Sequence, residues 1–387
     1  MNVLSLFDGM SCGQQALERV GIKVDNYFAS EIDKYAITVT MANYPNTKQL
    51  GSVVNVDGYS LPKIDLLIGG SPCQSFSFAG KRKGMSTKDE QEILTLEHYL
   101  ELKSQEYEFE GQSYLFWEYM RLLNEVKPKY FLLENVMMGE KWEKILSKAI
   151  GVNPIMINSS LVSAQNRQRL YWTNIGMKPS GLFGDLESII EQPKDLRILL
   201  KDILEPEVDE KYFLSQKMID GFLGHNKNHE GKTGFVWQPT EGNKKGACLR
   251  ANAALCPTDN SIIVHNTMPR SSKTGKGGTD PLKIEDGKTY CLDTGQTNAI
   301  EIIATQLGNS EKFGNSTSDK GKAFTLRTAN PNGVILNSKV RRLTPIECER
   351  LQTVKDNYTN HVSDSQRYKM LGNGWTVDVI AHIFKYI

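Results

Sequence analysis

The sequence predicts an α/β fold: a mostly parallel sheet with helices on both faces, joined to a smaller, mainly β region. Three observations predict it. Over the first 175 residues, short apolar runs alternate with helical patterns, the spacing of strand–helix–strand crossover units. After Tyr171-Trp172 the texture changes to β-prone runs such as "SIIVH" and "GVILN", set among Gly, Asn, Thr, Ser and Lys. Helical patterns return near the C-terminus.

Taken in order, "NVLSLF" reads as a strand and "CGQQALERV" as a helix with apolar Ala16, Leu17 and Val20. "NYFASEI" is strand-like, "KYAITVTMANY" helical, and "IDLLIGG" a third strand. "SYLFWEYMRLLNEV" is an amphipathic helix and "KYFLLENV" a fourth strand. "KWEKILSKAI" leads into "NPIMINSSLV". "LKDILEPEVDEKYFLSQ" reads as a connector. Between about 220 and 340, the segments "GACLRANAA", "KTYCLDTGQTNAI" and "KAFTLRTANPNGVI" echo one another at irregular spacing, which excludes a solenoid. "TPIECERLQ" offers Thr344 as N-cap, Pro345 at the first helical position and Glu347 in the first turn. "DSQRYKMLG" and "TVDVIAHIFKYI" follow as helices expected to pack back on the first domain. The expected domains are residues 1–178, a connector 179–219, a β region 220–340 and C-terminal helices 341–387.

Composition bounds the function. With 387 residues and 39% hydrophobic content, the chain can build a full core. No apolar run reaches the roughly 18 residues of a membrane span, and "MNVLSLFDGM" lacks the pattern of a signal peptide. A cytoplasmic protein without membrane contact is expected. None of the six cysteines sits in a CxxC pair, so neither a zinc site nor a disulfide scaffold is indicated, and no metal is expected. The net charge is only +1, yet the chain is polarised. From Lys227 to Arg342 there are 17 Lys/Arg against 10 Asp/Glu, and from Asp89 to Glu110 the balance is acidic. A local basic surplus of this kind is the footprint of a polyanion partner.

Five stretches carry chemistry. "GGSPCQSFSFAG" follows the third strand, and loops beyond the carboxyl ends of such strands bind ligands. Cys73 there is a candidate nucleophile or, equally, an inert thiol in a tight turn. "DGMSCG" joins the first strand to a helix, with Phe7, Gly9 and Gly13 placed to let a ligand approach the helix N-terminus. Its glycines do not match GxGxxG. Glu31, after the second strand, suits ribose hydroxyls or a solvated loop. Glu134 closes the fourth strand, either as a proton donor in a cleft or as an exposed carboxylate. Gln165, Arg167 and Arg169 alternate ahead of a strand, either as a fork for a carbonyl or phosphate or as a charged edge. Cysteine attack on an electron-poor ring, proton donation by a carboxylic acid and an arginine on a ring carbonyl would form one mechanism.

These motifs, in this order, resemble the cytosine-5 DNA methyltransferase family over nearly the whole chain. "SLFDGMSCG", "GGSPCQSFSFAG", "LLENV", "QNRQR", "RRLTPIECERLQ" and "LGNGWTVDVIAHI" resemble six of its motifs. The wording is similar in part to the animal de novo branch, in part to bacterial and phage enzymes. The resemblance implies a Rossmann-like methyltransferase sheet dependent on S-adenosyl-L-methionine, with no metal, and a target-recognition region that reads double-stranded DNA. It implies that Cys73 attacks carbon 6 of a flipped-out cytosine, that Glu134 holds or protonates ring nitrogen 3, and that Arg167 and Arg169 contact the ring carbonyl and hold the catalytic loop. Phe7, Asp8, Gly9, Ser11, Gly13, Glu31, Ile32, Ser52, Pro72, Asn373 and Trp375 would line the cofactor pocket. Gln74, Ser75, Ser77, Lys81, Arg82 and Gln165 would face DNA. A monomer serving restriction–modification beside a cognate endonuclease, or protecting phage DNA, is the implied setting. One animal subfamily with these motifs modifies tRNA, which leaves RNA open as a rival substrate.

Two features depart from the family. Gly51-Ser52 stands where Gly-Asp is usual, so Ser52, Asp57 or Asp33 would have to meet the adenine amino group. The acidic stretch from Asp89 to Glu110 lengthens the interval after the Pro-Cys loop, and is expected to fold away from the duplex or act as a lid. "SSKTGKGGTD", Ser271 to Asp280, is a candidate phosphate-contacting loop or a surface excursion.

Overall fold

The computed structural model describes residues 1–72, 85–89, 91–180, 185–215, 217–221, 226, 244–249, 261–266, 298–299 and 339–387. They fall into two compact units. The first comprises Met1–Ile198, Ala247–Ala254 and Pro345–Ile387; the second comprises Leu199–Gly246 and Leu255–Thr344.

The first unit is built on a seven-stranded sheet flanked by helices. Its strands are β1 (Asn2–Leu6), β2 (Asn26–Ser30), β3 (Lys48–Gln49), β4 (Leu66–Gly70), β5 (Tyr130–Val136), β6 (Ile155–Asn158) and β7 (Gln168–Thr173). Their order is β3-β2-β1-β4-β5-β7-β6. Strands β1 to β5 pair in parallel, and β7 runs antiparallel to both β5 and β6. The central runs are apolar because both faces are covered: Val3, Leu4, Leu66, Leu67, Ile68, Leu132 and Leu133 are fully buried.

Helices α1 (Cys12–Arg19) and α2 (Lys34–Asn43) connect β1, β2 and β3. The chain then returns to place β4 on the other side of β1. Strand order therefore reverses between β1 and β4, and a crevice opens beyond the carboxyl ends of strands at such a point. The loops holding Phe7 and Pro72 both begin there. Helix α3 (Leu96–Ser104) lies in the acidic insert; α4 (Phe116–Val126) and α5 (Glu140–Ile150) precede β5 and β6. In the C-terminal segment, α6 (Pro345–Leu351) begins at Pro345 as the sequence predicts, followed by α7 (Asp364–Asn373) and α8 (Val377–Phe384). Helix α8 packs on α1, where Arg19 pairs with Asp378.

The acidic insert is a folded element. Its entry and exit are tied by hydrogen bonds from Ile93 N to Met85 O (2.9 Å), from Thr87 N to Gln91 O (3.0 Å) and from Glu110 N to Ser86 O (2.9 Å). Met85 and Ile93 are fully buried in the main core. Tyr99 and Phe109 stack with Tyr114, and Tyr99 donates to the buried Glu118 of α4 at 2.5 Å. Its carboxylates Glu97, Glu101, Glu106 and Glu108 stay exposed.

In the second unit, β10 (Ser261–Asn266) pairs antiparallel with β11 (Asn298–Ala299) and β12 (Lys339–Arg342). A hairpin of β8 (Met177–Ser180) and β9 (Asp185–Ser188) belongs to the first unit. No helix among the described residues is long and apolar enough to cross a membrane.

Candidate active site

Glu134 is buried near the carboxyl end of β5, paired in register with Gly70 of β4. Its Oε1 lies 3.0 Å from Arg169 Nε, and its Oε2 accepts from the indole N–H of Trp375 at 3.2 Å. The tight packing requires Gly70, because a Cβ there would stand 2.9 Å from Trp375 Nε1 and 3.1 Å from Glu134 Oε2. The next residue, Asn135, donates to Ser71 Oγ at 3.0 Å and holds the entry of the Pro-Cys loop. Asn135 was not among the expected site residues; its place beside Glu134 in "LLENV" was the available signal.

Arg169 reaches this rim through antiparallel pairing. Residues ahead of a parallel strand would lie at the opposite end of the sheet. Because β7 runs against β5, its first residues meet the end of β5, with Val136 opposite Arg169. The Gln-x-Arg-x-Arg motif, read in the sequence as lying ahead of a strand, thus reaches the rim because that strand is antiparallel.

The two arginines differ in their partners. Arg167 is 4% exposed and donates to the carbonyls of Leu249 (3.4 Å), Gly372 (3.3 Å) and Gly374 (2.9 Å) and to Cys248 Sγ (3.2 Å). Arg169 faces Glu134 and also approaches Cys248 Sγ at 3.8 Å. Arg167 therefore ties the C-terminal segment and the Cys248 segment to the sheet, and Arg169 is the arginine presented beside Glu134. Gln165 is a correction. It is fully buried, with its amide N–H groups on Leu351 O (2.7 Å) and Gln352 Oε1 (2.8 Å), and its Oε1 accepts from Leu249 N (3.4 Å). These contacts use its amide internally, where a DNA contact was expected.

The loop after β1 forms the other half of the crevice. Phe7 and Ser11 take left-handed backbone angles (φ 57° and 56°), as does Gly9 (φ 59°). Non-glycine residues hold such angles only where the surroundings impose them. Here Gly9 N donates to Glu31 Oε2 at 2.8 Å, while Glu31 Oε1 accepts from the N–H groups of Ile32 (2.7 Å) and Asp33 (2.8 Å). Ile32 is 71% exposed. Asp8 accepts from Tyr27 OH at 2.8 Å and from Ser11 Oγ. Burial outweighs these donors and pushes its carboxyl up to about 6. Gly13 packs on Ile68 with no room for a side chain. The C-terminal segment meets this loop: Tyr358 OH donates to Met10 O at 2.8 Å, and a Cβ at Gly374 would stand 2.8 Å from Met10 Cε. Asn373 is exposed beside it and Trp375 is half-buried.

Ser52 follows Gly51, whose carbonyl accepts from Ser30 Oγ at 2.8 Å, so it stands at the end of β2. The two acids weighed as its substitutes have partners of their own: Asp33 caps α2 and pairs with Lys369 at 2.8 Å, and Asp57 caps the turn at Tyr59. Pro72 is partly buried at the end of the described entry to the loop. Cys73, Gln74, Ser75, Ser77, Lys81 and Arg82 lie outside the described residues, as does the stretch 271–280.

A family model for C-5 cytosine-specific DNA methylases matches residues 1–387. The chain belongs to that family. It is thus an enzyme of the class that methylates cytosine in DNA. The orphan methyltransferase M.SPRI of Bacillus phage SPR is 29% identical, with 100% of this chain and 97% of that protein covered. The type II methyltransferase M.HgiCI of Herpetosiphon aurantiacus is 27% identical, over 96% of this chain and 93% of that one. Among solved structures, a DNMT2 mutant of Spodoptera frugiperda superposes with a TM-score of 0.56 at 20% identity, covering 100% of this chain and 98% of that chain. That likeness supports the methyltransferase fold.

The family implies S-adenosyl-L-methionine as methyl donor, and the crevice residues fit it. Open space adjoins the Cα of Gly9. Glu31 is a fixed carboxylate, and the exposed Ile32 beside it offers an apolar face for a base. Among the described residues, no group of three or more His, Cys, Asp and Glu is placed to hold a metal ion.

Proposed function

We propose that the enzyme methylates carbon 5 of a cytosine flipped out of a specific duplex sequence, through a covalent adduct between Cys73 and carbon 6. The observation that carries this reading is the Glu134 carboxylate fixed between Arg169 and Trp375 near the carboxyl end of β5, in register with Gly70 of β4. The Cys73 thiolate attacks carbon 6; a free cysteine titrates near about 8.5, so the site has to favour the thiolate. Glu134 in its carboxylic-acid form gives its proton to ring nitrogen 3, relieving the charge that attack places on the ring, and takes it back as carbon 5 is methylated. Arg169 holds the ring carbonyl, and Arg167 holds the surrounding backbone. Carbon 5 thereby becomes nucleophilic. When bound, S-adenosyl-L-methionine supplies an electrophilic methyl group. Transfer of the carbon 5 proton to water, with the carbon 6–sulfur bond breaking to return the Cys73 thiolate, then frees the product. A remaining acceptor site of Glu31 takes a ribose hydroxyl, and Phe7 and Ile32 flank the adenine.

Extruding the base costs a few kcal/mol, and the basic stretch from Lys227 to Arg342 supplies the phosphate and base-edge contacts that offset it. The names of the phage and type II relatives support a role in phage DNA protection or restriction–modification. The test is transfer of labelled methyl to unmethylated duplex DNA, with tRNA alongside, by the wild type and Cys73→Ala. Label in DNA cytosine that vanishes in the variant is expected. Label confined to tRNA, or kept by Cys73→Ala, overturns the reading.

A further inference from the structure

We propose that Cys248 is a positioning residue of the methyl-transfer site: its sulfur, seated between the Arg167 and Arg169 guanidiniums, holds Arg169 in the orientation that pairs with Glu134. The inference rests on the reading of Glu134 and Arg169 as the groups that hold the cytosine ring.

The geometry is specific. Cys248 Sγ lies 3.2 Å from Arg167 NH1 and 3.8 Å from Arg169 NH2. The backbone of the following residue fixes where the sulfur sits. Leu249 N donates to Gln165 Oε1 at 3.4 Å, and Leu249 O accepts from Arg167 at 3.4 Å. All three side chains of the Gln-x-Arg-x-Arg motif thus engage one dipeptide. That dipeptide belongs to Ala247–Ala254, a segment of the first unit whose neighbours in sequence on both sides belong to the second.

Chemistry separates Cys248 from the other described cysteines. Cys12 and Cys348 are buried. Burial pushes the Cys12 thiol up to about 12, which keeps it protonated and inert. Burial also acts to raise Cys248, but the two guanidiniums outweigh it and bring this thiol below its ordinary range. A sulfur with anionic character is a strong acceptor for a guanidinium fork. Arg169 Nε is committed to Glu134 Oε1 and its NH1 to Gln168 O at 2.8 Å. Cys248 Sγ accepts at the NH2 end of Arg169, so the sulfur is one of the contacts that set the orientation of the fork. A misplacement of about 1 Å in a working group can cost about 100-fold in rate.

The experiment measures steady-state methyl transfer to unmethylated plasmid DNA by Cys248→Ala, Cys248→Ser and Glu134→Gln. We expect kcat to fall about tenfold in the alanine variant, KM for DNA to stay within about twofold, and serine to recover much of the loss, because its hydroxyl still accepts from the fork. Cys248→Val fills the space without an acceptor and replaces alanine if that variant does not fold. Wild-type kcat in the alanine or valine variant, with Glu134→Gln inactive, overturns the inference alone. Equal losses in alanine and serine also overturn it, since they mark a packing role. Full activity in Glu134→Gln removes the reading of the site on which the inference stands.

Discussion

Arg167 gives its N–H groups to three backbone carbonyls, while two residues later Arg169 gives its Nε–H to Glu134. Lysine at 167 keeps the charge and loses the fork, leaving buried carbonyls without donors, at a cost of about 1–3 kcal/mol each. Arg167→Lys is therefore expected to lower the unfolding free energy by about 2 kcal/mol or more in a urea titration. Arg169→Lys should leave stability within about 1 kcal/mol and lower kcat by about tenfold or more. Equal stability losses in the two variants would refute the division of labour. Asp8 makes a different prediction. Its carboxyl is raised from 3.8 to about 6 by burial, so the folded state binds this proton more tightly than the unfolded chain. Below pH 3.8 both states hold it and no stability is lost. As pH rises from about 4 to 6, the unfolded chain ionises first and stability falls, by up to about 3 kcal/mol. Urea midpoints across that window should fall for the wild type and stay flatter for Asp8→Asn; parallel curves would exclude Asp8 as the source.

The acidic insert shows that charge alone does not say what places an element. Its exposed glutamates suggested a segment repelled by DNA, but its apolar side is what places it. Tyr99 and Leu102 are buried, and Glu118 of α4 is fully enclosed by Tyr99 OH, Lys103 Nζ and Arg121 Nε at 2.5, 2.5 and 2.7 Å. Met85, directly after the Pro-Cys loop, and Ile93 are locked in the same core. This element anchors the exit of the loop as Asn135 anchors its entry. Tyr99→Phe removes one hydrogen bond to a buried carboxylate and should cost about 1.5–3 kcal/mol of stability. DNA affinity in low salt should be unchanged; a weakened affinity would restore a role at the duplex. Much of the sheet was legible because β1, β2, β4 and β5 are apolar runs between turn residues. The direction of β7 was not legible, since local pattern carries no pairing partner. Nor was the burial of Gln165, whose partners Leu351 and Gln352 lie more than 180 residues away. Cys248 was invisible for the same reason: nothing in "GACLRANAA" announces two arginines some 80 residues earlier.

The molecule as a whole divides its charge as it divides its chain. Net charge is +1, which by itself predicts little attraction for a polyanion, yet the stretch from Lys227 to Arg342 holds 17 Lys/Arg against 10 Asp/Glu. Affinity for DNA follows the local surplus rather than the sum, because charges farther than about 10 Å are screened at ordinary salt. Each phosphate neutralised by a lysine or arginine releases counterions and adds about 0.9 to the slope of log affinity against log salt. This converts the sequence of Ser271 to Asp280 into a measurable claim. If Lys273 and Lys276 touch phosphates, Lys273→Gln with Lys276→Gln should reduce that slope by about 2 and weaken binding to all duplex sequences alike. Methyl transfer at saturating DNA would keep its wild-type rate, because a phosphate contact contributes to binding and not to the chemical step. An unchanged slope would assign the stretch to a surface excursion and move the phosphate contacts to the remaining basic residues between Lys227 and Arg342.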